Sequence, residues 1–299
     1  MDSVTRIPVV DFGALATDLK SELSQFLKSD GGLVLRGYAG DLESFESLTK
    51  LLCTSFHRVG TREDFKQDRG DGFTTTVYPD NFILLGHSEG TYRPVPAPPD
   101  MCFFMCITPP DASGGETTVI DGRKMFELIP EEIRTRLLEQ GMIYESEWAE
   151  SRWKVEFNVE TAEDLKVKLD TIASIEYELN DSMLTYRYHA PAILQSNDGY
   201  SIFANGLLAH LNEIEHPTYK DLPAYSNPAN RVYFGNGEAM DNASINALID
   251  AHDACCYKHD WQLNDILVLD NARLMHGRAM CSYDCERVIL SRFGSKHHL

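Results

Sequence analysis

Residues 261–278 read WQLNDILVLDNARLMHGR. The apolar run at 265–270 predicts a buried β-strand, because it is short, rich in Ile, Leu and Val, and followed by turn-forming residues. Residues 271–273 predict the turn of a hairpin, after which the chain would bring His276 back over a sheet. An imidazole in that position is a candidate metal ligand. Any further ligands must come from elsewhere in the chain.

The tripeptide His87-Ser88-Glu89 supplies two more candidate ligands, just after the apolar segment 81–86. Side chains two residues apart on an extended chain project to the same face, so the imidazole and the carboxylate can converge. With His276 they form two histidines and one carboxylate, a set typical of non-haem Fe(II) oxygenases, which keep positions open for a cosubstrate and O2. Such tripeptides are common by chance. The alternatives are a surface or core histidine for His87 and a loop histidine for His276.

Arg287 lies eleven residues after His276, on the strand predicted to complete the same hairpin. Its guanidinium group is suited to bind a carboxylate through two parallel hydrogen bonds, and the distal carboxylate of 2-oxoglutarate is such a ligand. The alternative is a strand arginine that faces solvent. Arg292, five residues further on, is expected on the opposite face of an unbroken strand, unless a bulge intervenes.

Short apolar segments and helical periodicities alternate along the chain. We predict strands at 7–12, 33–37, 101–108, 117–120, 200–203, 265–270 and 286–292, and helices at 14–28, 45–56, 124–138 and 244–252. Pro130 favours dividing the third helix into two. Residues 140–200 alternate short β-like runs with charged loops. With no linker or repeat, 1–299 is predicted to be a single, β-rich α+β domain, a jelly roll with flanking helices.

Composition narrows the classes of partner. The chain has 299 residues, 43% of them hydrophobic, and a net charge of −19, which disfavours nucleic acid and anionic membranes as partners. The acidity either confers solubility alone or favours a cationic substrate or a basic carrier protein. Seven cysteines, an odd number in a chain too long to need disulfides, and the lack of a signal-like start or a membrane-length apolar run predict a cytoplasmic protein.

Several motifs together carry a family resemblance: His87-Ser-Glu89, Gly114-Gly-Glu-Thr117, residues 261–271, Ile202-Phe-Ala-Asn205, Tyr233-Phe-Gly-Asn-Gly237, His276-Gly-Arg278 and Arg287. In order and spacing they resemble the TauD/TfdA superfamily of Fe(II)- and 2-oxoglutarate-dependent dioxygenases, and most of all its clavaminate synthase-like and SyrP-like branch. The resemblance covers about residues 30–293. Two departures are Glu286, where members often have a second arginine, and Asn264, where glycine is frequent.

The resemblance implies a double-stranded β-helix core, with His87, Glu89 and His276 as iron ligands. It implies that Thr117 binds the 2-oxoglutarate carboxylate beside Arg287. It also implies O2 as the second cosubstrate and succinate and CO2 as products. Hydroxylation of an unactivated C–H bond is the default outcome, with desaturation or cyclisation as alternatives. Halogenation is disfavoured, because Glu89 fills the position that a halide would need.

The substrate is expected to be a small molecule, an amino acid or a specialised metabolite, free or carrier-bound. Candidate contacts are Tyr78, Asn81 and Asn205. The loop at 60–80, with Arg62, Asp68, Arg69 and Asp71, could add polar recognition, although a solvated loop is the simpler interpretation. Two other functions stay open. One is a zinc hydrolase using the same three ligands, which leaves Arg287 unexplained. The other is a non-catalytic jelly-roll binding protein.

Overall fold

The computed structural model describes residues 4–15, 18–38, 40–58, 69, 71–77, 81–111, 113–282 and 285–296. The strands are β1 (Val9–Asp11), β2 (Gly32–Arg36), β3 (Ser55–Phe56), β4 (Thr75–Thr76), β5 (Leu84–His87), β6 (Met101–Thr108), β7 (Thr117–Asp121), β8 (Met142–Ala149), β9 (Ile175–Asn180), β10 (Met183–Ala190), β11 (Leu194–Gln195), β12 (Ser201–Ile202), β13 (Asn230–Phe234), β14 (Tyr257–His259), β15 (Ile266–Asp270), β16 (Leu274–Arg278) and β17 (Val288–Ser295). The helices are α1 (Leu19–Asp30), α2 (Leu42–Leu52), α3 (Gly122–Leu128), α4 (Glu131–Gln140), α5 (Glu150–Phe157), α6 (Ala162–Leu169) and α7 (Asn242–Cys255), with short 3-10 turns at Phe12–Ala14 and Leu208–His210.

The larger sheet has the strand order β1-β2-β15-β6-β17-β3, with β4 beside β17. Its central strands are apolar on both faces because both faces are covered. Met105, Val268 and Leu290 pack with the apolar side chains of α1 and α2 on one side. Cys106 and Leu267, on the other side, pack with residues of a second sheet. This double burial explains the continuous hydrophobic runs in the sequence.

The second sheet has the order β14-β7-β16-β5 and packs against the first, sharing an apolar cluster with it. The two facing sheets make a mixed, sheet-rich α and β architecture, as predicted. The predicted hairpin at 265–278 is wrong. β15 pairs with β2 and β6, whereas β16 pairs with β7 and β5, so the turn between them carries the chain from one sheet to the other. β17, which follows Arg287, then returns to the larger sheet beside β6.

A third sheet, β13-β8-β10-β9, carries α5 and α6. The sequence predicted strands and loops for this region and missed both helices. Their apolar residues are few and widely spaced, and they become buried only because Trp153, Phe157, Leu165 and Leu169 meet the face of this sheet. The third sheet also reaches the cavity between the other two, since Asn230 at the start of β13 lines that cavity.

Helix boundaries follow capping residues that the periodicity did not reveal. α1 begins at Leu19 because Asp18 accepts a hydrogen bond from the backbone N–H of Ser21, and Asp41 caps α2 in the same way. The predicted helix 45–56 therefore starts earlier and ends before β3. The division of 124–138 into two helices is confirmed, with Pro130 between them. Among the described residues no helix is long and apolar enough to cross a membrane.

Two local features differ from the sequence-based expectations. Cys281 and Cys285 form a disulfide, with their Cα atoms 6.0 Å apart, although no disulfide was expected. They lie where the chain turns between β16 and β17, and this turn brings the two thiols together. Asn264 has a φ of 65°, a left-handed conformation that asparagine tolerates better than most residues. This conformation explains why asparagine can stand where glycine is frequent.

Candidate metal centre

Three potential ligands converge between the two facing sheets. His87 ends β5, Glu89 follows it in a turn, and His276 lies in the middle of β16, paired in register with His87. The ring centroids of the two histidines are 4.4 Å apart, and His87 Nε2 is 3.9 Å from a carboxylate oxygen of Glu89. One ligand atom from each of the three residues lies within 4.8 Å of the others. The structure thus brings together the three side chains that the sequence singled out, in a space that suits a single ion.

The backbone of Glu89 is held by the side chain of Asn271, which is 2% exposed. Asn271 Oδ1 accepts a hydrogen bond of 2.8 Å from the Glu89 N–H, and Asn271 Nδ2 donates to the Glu89 carbonyl (3.0 Å) and to the Pro99 carbonyl (2.9 Å). We call these three bonds the Asn271 clamp. Since Asn271 lies in the turn between β15 and β16, the clamp ties Glu89 to the segment that carries His276. Asn271 is the last residue of the motif at 261–271, and its role in holding Glu89 could not be predicted from that motif.

The strand that carries His87 is also anchored. The backbone N–H of Gly86 donates to Nε2 of the buried His252 (3.1 Å), whose Nδ1 lies 2.8 Å from the carboxylate of Asp253. A Cβ on Gly86 would lie 2.6 Å from Ile120, so only glycine allows this close approach. His87 Nδ1 faces the Leu85 carbonyl at 3.3 Å, which leaves Nε2 directed towards Glu89. Such outer contacts orient metal-binding histidines.

Arg287 and Thr117 lie together in the same cavity. Arg287 Nη2 donates to Thr117 Oγ1 at 3.3 Å, and Trp261 Nε1 donates to the same oxygen at 3.1 Å. Burial, together with the nearby positive charge of Arg278, lowers the pKa of Arg287 to about 9, so the guanidinium group stays protonated at neutral pH. Among the described residues no carboxylate forms an ion pair with Arg287. The pair therefore presents a charged donor to the cavity.

Arg292 points away from the cavity, as the alternation along the strand predicted. It is 2% exposed, forms an ion pair with Asp71 and donates to Thr74 Oγ1 at 2.7 Å. Its guanidinium carbon also lies 4.0 Å from the centroid of the Phe56 ring. The register shift between β17 and β6 occurs before Ile289, at the end of the shared ladder. Arg292 therefore anchors the segment around Asp71 to the outer face of the larger sheet.

The cavity around these groups measures about 1000 Å³ including its open mouth. His87, Glu89, His276, Thr117 and Arg287 all line it. The residues predicted to contact the substrate are not among the described residues that line this cavity. Asn205 does not line the cavity, because its amide is used within the fold: Nδ2 donates to the Ala192 carbonyl, and Oδ1 accepts from the N–H of Leu207.

Of the two other predicted contacts, Asn81 and Tyr78, the structure describes Asn81 alone. Asn81 is half-buried just before β5 and is not among the lining residues. Tyr78 lies outside the described residues, as does most of the loop 60–80. Lining residues that the sequence did not reveal are Tyr92, Arg152, His210, Tyr225, Asn230 and Arg278. Burial lowers the pKa of His210 to about 4, so its ring is neutral at neutral pH.

Two facing sheets that hold two imidazoles and a carboxylate around one point, with a half-buried arginine nearby, define the class of mononuclear metal-dependent oxygenases. Comparison with known families agrees. The chain belongs to the family described as "Taurine catabolism dioxygenase TauD, TfdA family", whose model matches residues 2–293. The predicted resemblance is thereby confirmed. So are the enzyme class, an Fe(II)/2-oxoglutarate-dependent dioxygenase, and its cosubstrates.

Individual relatives are distant. The chain is 24% identical over 267 residues to the dapdiamide synthesis protein DdaC of Enterobacter agglomerans, covering 86% of this chain and 80% of that protein. A taurine dioxygenase from Burkholderia xenovorans superposes with a TM-score of 0.58 at 12% identity, covering 98% and 88% of the two chains. PvcB from Pseudomonas aeruginosa gives a TM-score of 0.53 at 15% identity, covering 97% and 86%. These structural likenesses show a shared fold.

Proposed function

We propose that the protein uses His87, Glu89 and His276 to hold Fe(II), and Arg287 with Thr117 to hold 2-oxoglutarate. In this proposal it oxidises an unactivated C–H bond of a small substrate. The observation that carries the proposal is the convergence of three ligand atoms within 4.8 Å in the same cavity as the Arg287–Thr117 pair. A zinc hydrolase would need the ligands but has no use for the half-buried arginine in the cavity.

The donor set fits the iron. Two imidazoles and one carboxylate would suit a divalent ion of this kind and would leave other positions on it open for a cosubstrate and O2. Bound Fe(II), with 2-oxoglutarate and O2, supplies the oxidising power for C–H cleavage, and succinate and CO2 leave as by-products. The protein's own groups bind and orient. Arg287 donates to the distal carboxylate of 2-oxoglutarate with Thr117 beside it, and the rings of Phe104 and Phe293 line the cavity and reduce its access to water.

The finer assignments belong to the same proposal. The core is a double-stranded β-helix within a single domain, and the substrate is an amino acid-like or specialised metabolite. Relatives support this choice: one is named for dapdiamide synthesis, and a solved asparagine oxygenase carries Fe(II), 3-hydroxyasparagine and succinate (TM-score 0.54, 14% identity, covering 95% of this chain and 81% of that one). Hydroxylation is the default outcome, with desaturation or cyclisation as alternatives. Glu89 fills the position that a halide would need.

The test is spectroscopic and uses purified, full-length protein without oxygen. Adding Fe(II) and 2-oxoglutarate should produce a weak visible charge-transfer band, because the oxoacid chelates the iron. His276→Ala should abolish the band. His189→Ala, a change at an exposed histidine paired with Glu176, should leave it intact. A colourless complex with activity only in the presence of zinc would favour the hydrolase instead. Admitting air should then release succinate in the presence of a substrate.

A further inference from the structure

The end of the cavity near α5 carries a cation that the proposed mechanism does not use. Arg152 lies in the first turn of α5 and lines the same cavity as the three ligands. Its guanidinium carbon lies 4.4 Å from the centroid of the ring of Trp148, which is fully buried. This stacking holds the side chain in place without neutralising it.

Neighbouring cations form ion pairs, whereas Arg152 forms none with a carboxylate of the described residues. Arg93 forms an ion pair with Glu156, and Lys154 forms one with Glu150 at 2.9 Å. Within the part of the chain that the structure describes, no carboxylate lies within ion-pair distance of Arg152. A positive charge at the amino end of a helix is also unfavourable for the helix dipole. The position therefore suits an anion that arrives from outside.

The charge of the cavity points the same way. Its described lining includes two guanidinium groups, those of Arg152 and Arg287, that form no ion pair with a described carboxylate, and it includes the carboxylate of Glu89. Adding a divalent ion and dianionic 2-oxoglutarate to these groups leaves a surplus of one positive charge. The net charge of −19 left a cationic substrate as one alternative to a role in solubility alone, but a substrate meets the charge of the cavity rather than the net charge of the chain.

A second polar group in the cavity lacks a partner. Asn230 is 4% exposed, and its Oδ1 is buried and accepts no hydrogen bond from the described residues. Its backbone, by contrast, is fully used: the N–H donates to Asn227, and the carbonyl accepts from the side chain of Asn212. A buried acceptor without a donor is costly, so its place in a substrate cavity suggests that the substrate supplies an N–H.

We propose that Arg152 binds a carboxylate of the substrate and that Asn230 accepts a hydrogen bond from a substrate N–H. The substrate is then a small carboxylic acid that also carries an amine or amide. The planar fork of Arg152 matches a carboxylate in a bidentate way. This inference rests on the proposed function, since the charge balance includes the ion and 2-oxoglutarate.

The experiment measures binding without oxygen, on the full chain loaded with Fe(II) and 2-oxoglutarate. The probes are the twenty proteinogenic L-amino acids, their N-acetyl derivatives and their α-carboxamides. Binding is read from perturbation of the charge-transfer band and from calorimetry. We expect the ligands that bind to carry a free carboxylate, and the matching carboxamides to bind about 10- to 100-fold more weakly, because a charge-assisted pair is lost.

Three variants assign the effect to Arg152. Arg152→Met keeps the packing on Trp148 but should weaken binding of the acids about 10- to 100-fold. Arg152→Lys keeps the charge without the fork and should give an intermediate loss. Lys154→Met, on the same helix, removes a charge that does not face the cavity and should change nothing. Asn230→Leu should weaken binding of the ligands that carry an N–H and should leave that of N-acetyl-L-proline, the panel member without one, unchanged.

The affinity for 2-oxoglutarate separates this inference from the proposed function. The charge-transfer band formed by Fe(II) and 2-oxoglutarate should persist in Arg152→Met, with a Kd within about twofold of the unaltered protein. If the band never forms in the unaltered protein, the proposed function fails first. If the band forms but no acid in the panel binds in a manner that depends on Arg152, or if the carboxamides bind best, this inference is overturned.

Discussion

Replacing Asn271 with alanine tests whether an amide outside the ligand set positions the metal site. The side chain touches no ligand atom, yet it makes three hydrogen bonds to the backbone of Glu89 and Pro99, all between 2.8 and 3.0 Å. Asn271→Ala leaves an N–H and two carbonyls without these partners in a buried place. Each unsatisfied buried group costs about 1–3 kcal/mol, and water entering the gap would recover part of this, so we expect a loss of about 3 kcal/mol in the free energy of unfolding.

We expect Asn271→Ala to lower the affinity for Fe(II) in addition to lowering the free energy of unfolding. Without the Asn271 clamp the turn that carries Glu89 is free to shift, and loss of such an outer contact typically lowers metal affinity about 10- to 100-fold. The measurements are the free energy of unfolding of the metal-free protein in urea and the Kd for Fe(II) without oxygen. The two readings distinguish a general weakening of the fold from displacement of one ligand.

Asn212 offers a matched control. Its amide also holds loop backbone, since Nδ2 donates to the Asn230 carbonyl and Oδ1 accepts from the N–H of Asn227, but it contacts none of the three ligands. Asn212→Ala should destabilise the fold while leaving the affinity for Fe(II) within about twofold. If Asn271→Ala binds Fe(II) as tightly as the unaltered protein, the clamp does not position Glu89 and our reasoning is wrong.

Three further outcomes are expected. Arg287→Leu should raise the Kd for 2-oxoglutarate about 30- to 100-fold in an anaerobic titration without changing the Kd for Fe(II), whereas Arg231→Leu, at an exposed position, should change neither. Burial alone would raise the pKa of Asp265, but hydrogen bonds from Arg36 and His259 outweigh burial and hold it at about 2. This folded-state pKa of Asp265 lies below the unfolded value. The ionised carboxylate with its hydrogen bonds therefore stabilises the fold by about 2 kcal/mol, fully above about pH 5, and this stabilisation is lost as pH falls towards 2. The stability of Asp265→Asn should therefore differ most from the unaltered protein near pH 7 and least near pH 2. Removing metal with a chelator should lower the melting temperature, and restoring Fe(II) at one hundred times its Kd should return about 3 kcal/mol, but not in His276→Ala.

The sequence predicted the part of the site that depends on local geometry. His87 and Glu89 share a face because of their spacing along the strand and turn. The odd separation of Arg287 and Arg292 correctly predicted that Arg292, on β17, points away from the cavity that Arg287, just before that strand, lines. Such rules need only the period of a strand. The class of fold followed similarly, from alternating apolar segments and helix signals.

Local sequence patterns could not predict how the strands pair or which residues line the end of the cavity near α5. The segment 265–278 reads as a hairpin locally, but both edges of β15 are taken by other strands, so β16 finds its partners in the opposite sheet. Arg152 and Asn230 belong to a region in which neither helix has a strong apolar stripe. Their approach to the cavity depends on packing against the third sheet, which no local pattern encodes. Asn205 was misjudged because its backbone hydrogen bonds are invisible in the sequence.

The register between His87 and His276 joins parts of the chain roughly 190 residues apart. No stretch of the polypeptide shorter than that span can contain all three proposed ligands, so the proposed ion can be bound only after β5 and β16 have paired. Contacts of such long range form late, because closing a large loop costs entropy before any contact repays it. We therefore expect iron to bind chains that have already folded and to stabilise their folded state. In a cell short of iron, newly made chains would open more often and be degraded sooner, which couples the amount of enzyme to the supply of its metal.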